Sequence, residues 1–341
     1  MGDYFYELTP EPVFRAIEKG GFNPTGHIMA LNSYENRVYD LKLEDGSHIV
    51  SKFYRPGRWN EEQIREEHSF LLEIADAEVP VCAPMRFPDG DTLHSVNGIF
   101  YAVWRRTGGR SAHDLSDTDI QIIGRMLACI HNVGASKNIQ SRHKLDAKSY
   151  ALDPLEYILQ NNLLPSHCRD RFEKAVHQVA RIYTELSENV PFHRIHADCH
   201  PGNLLNGTDG WFILDFDDFC SGPAVQDIWM LCGGNDSYGK RHREILIEAY
   251  ETFRPFNRSW FNLIEPLRAL RFIRYAGWIA KRWKDPVFPI AFPHFGTEAY
   301  WETETNELEA QLRVIKEGSP DYQGSSEPEE ELTNSDFFYD M

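Results

Sequence analysis

The sequence predicts an α+β protein in two lobes, a β-rich N-terminal part with one helix and a mainly helical C-terminal part. Three observations carry this. Strand-like alternation recurs between His27 and Trp104, and helical spacing takes over after Gly108-Gly109. A polar loop followed by an apolar run ending in carboxylates then interrupts the helical half. The division is residues 1–107, residues 108–317 and an acidic tail, residues 318–341.

Glu11 to Lys19 reads as a short amphipathic helix with Val13, Phe14 and Ile17 on one face, stopped by Gly20-Gly21. Residues 27–54 read as β structure: Tyr39, Leu41 and Leu43 alternate, Glu44-Asp45-Gly46 turns, and His48 to Tyr54 makes the next strand. Asn60, ahead of Glu61-Glu62, caps a helix running to Ala75, with Phe70, Leu71 and Ile74 on its buried side. Further β structure runs through Leu93, turns at Asn97-Gly98 and continues from Ile99 to Trp104. Beyond the glycine pair, Asp117 to Val133 carries Ile120, Ile123, Leu127 and Ile130 at helical spacing. Arg169 to Leu186, Gly239 to Phe253, Leu263 to Trp283 and Ala299 to Ile315 complete the helical half. The aromatic residues between Tyr275 and Phe295 read as core and lobe packing.

Composition narrows the function classes. A net charge of −17 argues against a nucleic-acid-binding surface and against an anionic membrane partner. No apolar run approaches the roughly 20 residues of a membrane span, and Met1 to Tyr6 has no basic stretch of the kind that opens a secretory signal. Six cysteines without C-x-x-C spacing read as reduced thiols of a cytoplasmic protein. There are no coiled-coil heptads, so a monomer is expected. Residues 318–341 contain no Lys or Arg and are expected to form a solvated, disordered tail.

The chemistry lies in His196-Ala197-Asp198-Cys199-His200-Pro201-Gly202-Asn203 and in Ile213-Leu214-Asp215-Phe216-Asp217-Asp218. Asn206 to Gly210 between them is a hairpin signal, so the two segments pair and Asp198, Asn203 and Asp215 meet at one edge. Phosphoryl transfer needs such a trio: a carboxylate for the attacking hydroxyl, and an amide oxygen and second carboxylate to hold Mg²⁺ on nucleotide phosphates. Asp198 is the candidate base or orienting group; Asn203 and Asp215 are candidate metal ligands. Asp217 is a possible assistant to the metal, and Asp218 reads as a solvated or capping acid. Lys52 shares a strand face with Val50 and Tyr54, which suits contact with the α- and β-phosphates of ATP. Glu66 and Glu67 both qualify as its partner; Glu67, beside the buried stripe of Leu71 and Ile74, is preferred. A rival reading makes His196-x-Asp198-x-His200 a transition-metal site. It needs further distant ligands and leaves the Lys52 strand unexplained.

H-x-D-x-x-x-x-N followed by I-L-D, behind a β-rich lobe and a glycine-containing hinge, resembles the protein-kinase-like fold in its aminoglycoside phosphotransferase and choline kinase branch. The block Leu31-Asn32-Ser33-Tyr34-Glu35-Asn36-Arg37-Val38-Tyr39 narrows the resemblance, with Lys52 to Pro56, Gly222 to Asp227 and Ile264 to Arg268. The chain is similar, over residues 4–315, to the stress response kinase A family of bacterial Ser/Thr protein kinases. That likeness implies an ATP- and Mg²⁺-dependent kinase of bacterial stress response, transferring the γ-phosphoryl group to a protein Ser or Thr hydroxyl. It implies that Ser33 and backbone N–H groups cover the phosphates, with Asn32 or Asn36 shaping the turn. It implies that adenine docks against Val103-Trp104-Arg105-Arg106, and that Lys52, Glu67, Asp198, Asn203 and Asp215 take the roles above. His196 then braces the catalytic loop against Asp227, which is expected to be buried and bonded to that loop, and His200 lies near the transferring group.

The chain departs from the protein-kinase pattern in three places. There is no G-x-G-x-x-G loop, position 197 is Ala where the pattern has Arg, and Asp215 is only twelve positions from Asp227. Control by phosphorylation of an activation segment is therefore not expected. Small-molecule kinases share this shortness, so an amino alcohol, sugar or amino acid acceptor is the runner-up, to be favoured by an acidic, closed acceptor pocket. A non-catalytic nucleotide-binding scaffold is a third reading; the intact Lys52, Asp198, Asn203 and Asp215 stand against it. Arg268, Arg271, Arg274, Lys281 and Arg282 either line a substrate groove or pair with the abundant acids, the second being favoured.

Overall fold

Alternation along the early strands builds the N-terminal half. A computed structural model describes residues 5, 8–112, 114–234 and 236–317; the expected acidic tail lies outside them. Helix α1 (Pro10–Lys19) precedes strands β1 (Pro24–Leu31), β2 (Arg37–Leu43) and β3 (His48–Phe53). Helix α2 (Glu61–Asp76) follows, then β4 (His94–Val96) and β5 (Ile99–Arg105). The strands form one antiparallel sheet in the order β1-β2-β3-β5-β4. Successive side chains point to opposite faces of a strand. On β3 and β5, Ile49, Phe53, Tyr101 and Val103 therefore join Val13, Ala16 and Ile17 of α1 in one core. Tyr54, Ala102 and Trp104 face the other way, toward Ile64 of α2 and the cleft beneath. Lys52 goes with this second set, on the face shared with Val50 and Tyr54.

Helix α2 starts where Asn60 accepts a hydrogen bond from the Gln63 N–H at 2.9 Å, while the Gln63 side chain accepts one from the Asn60 N–H at 3.0 Å. Its Phe70, Leu71 and Ile74 leave the sheet and pack into the core of the helical half, Phe70 meeting Phe216 and Phe219.

That half contains the short β6 (Arg110–Ser111), α3 (Asp117–Ala135), α4 (Asp153–Gln160), α5 (Ser166–Ser187) and β7 (Phe192–Ile195). Then come β8 (Leu204–Gly207), β9 (Gly210–Ile213), β10 (Cys220–Pro223), α6 (Val225–Leu231) and α7 (Ser237–Tyr250). Helices α8 (Ile264–Arg282), α9 (Val287–Ala291) and α10 (Glu298–Glu317) close the described chain. Strands β8 and β9 pair antiparallel through a two-residue turn flanked by Gly207 and Gly210, beside β6. Strand β10 pairs antiparallel with β7. Helix α3 lies so close to β7 that a Cβ on Gly134 would sit 2.1 Å from the Arg194 carbonyl oxygen. Tyr275, Trp278, Phe288 and Phe292 pack on one another, as expected of that aromatic run.

Some elements differ from expectation. The β4 strand begins at His94, just past Leu93. Helix α4 was not anticipated; it continues a π-helical turn over Lys148–Leu152, and Pro154 stands at its second position. Strands β7 and β10 are four residues each and too short to show a period.

Candidate active site

The loop from His196 to Asn203 leaves the end of β7 and is fixed by its backbone. Asp227 of α6, fully buried, accepts the N–H of His196 at 2.9 Å and of Ala197 at 2.8 Å. His131 of α3 meets the same carboxylate at 2.9 Å. Gln226 donates to the Ala197 carbonyl at 2.9 Å. These bonds hold Ala197 at φ 71°, a left-handed conformation costly for a residue with a Cβ. The His196 ring donates from Nε2 to the Leu214 carbonyl at 2.6 Å and accepts the Asp198 N–H at Nδ1, 3.2 Å away. His196 thus braces the loop against Leu214, while Asp227 holds the backbone and not the ring. With both ring nitrogens committed, His196 has no lone pair for a transition metal, and the rival metal reading fails.

Asp198 and Asn203 stand on this loop. The Asn203 side chain donates to the Asp198 carbonyl at 2.9 Å, and the Leu214 N–H donates to the Asn203 carbonyl at 2.9 Å. The hairpin thereby ties the polar loop to the segment carrying Asp215. One Asp198 oxygen accepts from Arg271 of α8 at 2.7 Å; the other lies 3.7 Å from His200 Nε2. Burial raises the Asp198 carboxyl, but Arg271 and His200 bring it below the ordinary range. It is ionised near neutral pH and available to a hydroxyl.

Asp215 follows β9 at φ 54° and keeps 57% of its side chain exposed, with Lys52 Nζ at 3.4 Å. Lys52 also lies 2.9 Å from Asp217 and 3.6 Å from Glu67. Burial lowers the Lys52 ammonium's pKa, and the three acids more than reverse it, so the charge is secure. Glu67 is buried and also accepts from Arg142 at 3.0 Å. Glu66 points elsewhere, to the backbone N–H groups of Ser141 and Arg142 at 2.7 and 2.8 Å.

Asp217 accepts from Asn36 at 3.2 Å and from Arg58. Asp218 is not the solvated acid expected: Arg58 at 2.8 Å and Arg274 at 3.1 Å clamp it and hold its carboxyl far below the ordinary range against the effect of burial. In the loop between β1 and β2, Ser33 accepts the Asn36 N–H at 3.1 Å, and Asn36 accepts the Arg55 N–H at 3.2 Å. Asn36 therefore shapes the turn and ties it to Asp217, and the Ser33 O–H proton is left to donate. Trp104, at the end of β5, presents its ring to Lys52 Nζ at 5.7 Å.

All seven predicted site residues, Ser33, Lys52, Glu67, Trp104, Asp198, Asn203 and Asp215, line one cleft of about 1310 Å³ between the sheet and the helical half. Sequence reasoning missed Arg58 and Arg142, which carry no local signal. The row of Arg268, Arg271, Arg274, Lys281 and Arg282 is visible in the sequence, and its members divide: Arg271 and Arg274 pair with acids and also line the cleft, whereas Arg268 pairs with Glu265.

The phosphotransferase enzyme family model matches residues 27–262. A two-lobed fold with this cleft and that match define the class: the chain belongs to the phosphotransferase enzyme family and is a kinase. Within that class it belongs to the stress response kinase A family. It is 38% identical over 314 residues to stress response kinase A of Escherichia coli K12, covering 92% of this chain and 95% of that protein. The same identity and coverage hold for a Salmonella typhimurium relative described as serine/threonine protein kinase RdoA. Among solved structures, amicoumacin kinase in complex with AMP-PNP, Ca²⁺ and Ami superposes with a TM-score of 0.69 at 17% identity, over 89% of this chain and 92% of that one. A microcompartment-associated aminopropanol kinase superposes with a TM-score of 0.67 at 15% identity, over 89% and 96%. These two likenesses are of fold. Among the described residues no helix is long and apolar enough to cross a membrane.

Proposed function

We propose that this chain is an ATP- and Mg²⁺-dependent Ser/Thr protein kinase of stress response. Residues 1–107 bind nucleotide, and residues 108–317 carry catalysis and acceptor binding. The observation that supports it best is the placement of Lys52 within 3.6 Å of Glu67, Asp215 and Asp217, in the cleft that also holds Asp198 and Asn203. Lys52, braced by Glu67, holds the α- and β-phosphates. Ser33 covers the phosphates by donating its O–H, and Trp104 marks the adenine end. Asp198 orients the acceptor hydroxyl and takes its hydrogen bond, in line with the γ-phosphorus.

The oxygen donors present fit a divalent cation. Asp215 is more than half exposed beside a single ammonium, and the Asn203 amide nitrogen is committed to a carbonyl, which leaves its oxygen as donor. Asn203 and Asp215 would hold the ion, which when bound neutralises charge on the nucleotide phosphates.

A small-molecule acceptor is the second reading, favoured by the direct run from Asp215 through β10 to Asp227 with no long segment between. Incubation with γ-labelled ATP, Mg²⁺ and cell extract separates the two. Label on protein Ser or Thr supports the first, and label only on small solutes supports the second. Asp198→Asn should lower transfer by about 10²–10⁴-fold and leave AMP-PNP affinity within a few-fold; retained turnover would sink the assignment of Asp198.

A further inference from the structure

The acceptor side of Asp198 is walled by one helix face. Arg271, Arg274, Trp278 and Lys281 of α8 recur every three or four residues and all line the cleft, and Lys284 extends the row. The row belongs to the helical half: Arg274 lies over the Tyr150 ring at 4.1 Å and Lys281 over the Tyr157 ring at 5.6 Å. The chain carries a net −17, yet ten Lys and Arg line this cleft against seven Asp and Glu. The acids are spoken for. Glu35 is held by Trp278 and Arg282, and Asp217 and Asp218 by Arg58. Among the described residues, no carboxylate lies within 4.0 Å of the Lys281 or Lys284 ammonium.

We propose that this row docks an acidic protein segment, a Ser or Thr hydroxyl followed by Asp or Glu. The inference deepens the kinase reading and rests on it. Charge sign decides the class. A cationic amino alcohol would meet guanidinium and ammonium groups here with no unpaired carboxylate to hold it, whereas carboxylates are complementary to the row. Span gives the spacing. From Arg271, bonded to Asp198, to Lys281 is about 15 Å of helix at ~1.5 Å per residue. An extended peptide covers that in roughly four to five residues, so the carboxylates that matter lie about three to six residues from the hydroxyl.

The test is fluorescence anisotropy on the full chain with Mg·AMP-PNP. One labelled peptide carries a single Ser with Glu at the third to sixth following positions, and its twin carries Gln there. The acidic peptide should bind about tenfold tighter or better, and added salt should weaken it selectively. The double variant K281E/K284E changes two exposed lysines outside the catalytic machinery. It should erase the preference while leaving AMP-PNP affinity and the melting temperature unchanged. Equal binding of the two peptides, or a preference that survives the double variant, overturns the proposal. Binding needs no turnover, so the two readings fail separately. A kinase with no charge preference loses this inference alone, and a chain that transfers label to no acceptor loses the kinase reading.

Discussion

Glu67 sits between two cations, Lys52 at 3.6 Å and Arg142 at 3.0 Å, with almost no water contact. Removing its charge leaves both partly unpaired in a buried setting, which costs far more than a surface pair would contribute. Glu67→Gln should destabilise the fold by about 3–5 kcal/mol, read by urea titration, and raise KM for ATP; wild-type values for both would show that the pair is incidental. Asp227 acts at a distance. Asp227→Asn keeps the shape but turns an amide donor toward one of two backbone N–H groups. Because small misplacements of an orienting group are costly, kcat should fall by about 10²-fold with KM for ATP near wild type. The meeting of Asp198, Asn203 and Asp215 was legible because one short hairpin separates the two segments that carry them. The Arg58–Asp218 and Arg271–Asp198 pairs were not, since their partners lie far apart in the chain and meet only through tertiary packing.

At the scale of elements, two sites test how the helices are held. Asn60 opens α2 with a reciprocal pair of bonds, so Asn60→Ala should cost about 1 kcal/mol, measured by chemical denaturation. A loss below a few tenths would mean that water replaces the cap without penalty. Gly134 has the opposite problem, a lack of room. Gly134→Ala must push α3 off β7, where the obstacle is backbone and cannot rotate away. The expected loss is about 1–3 kcal/mol or more, together with lower kcat, because β7 feeds directly into the loop bearing Asp198; an unchanged melt would show that the two elements part easily. The long helices were legible from their period, and α2 from its cap. Helix α4 and the pair β7–β10 were hidden, the first behind a π-helical turn and the others by brevity.

Across the whole molecule, buried histidines set the response to acid. Burial lowers His68 and His143 to about 3 and His193 to about 2 from an ordinary 6.5. Nearby charge adds to this, from Lys52 at His68 and from Arg274 at His143. Below pH 6.5 the unfolded chain takes up protons that the folded chain refuses, so stability must fall with pH. The loss begins near pH 6.5 and continues to about 3. Urea titrations across that range should show a slope approaching three protons, and His68→Gln should remove about one of them. A flat profile between pH 6.5 and 4 would contradict the neutral-histidine picture. No local pattern marks these side chains: a histidine becomes neutral and buried only through what the rest of the chain folds over it.

The stretch from Asp215 to Asp227 runs straight through β10 into α6, and its buried carboxylate clamps the loop that bears Asp198. The loop is thus held in place by the fold itself. Among the described residues, no long segment stands between the two aspartates for an upstream enzyme to release, which predicts an output set by copy number and acceptor supply. Cellular phosphorylation should then scale with expression of this chain from the first minutes of induction, with no lag for activation.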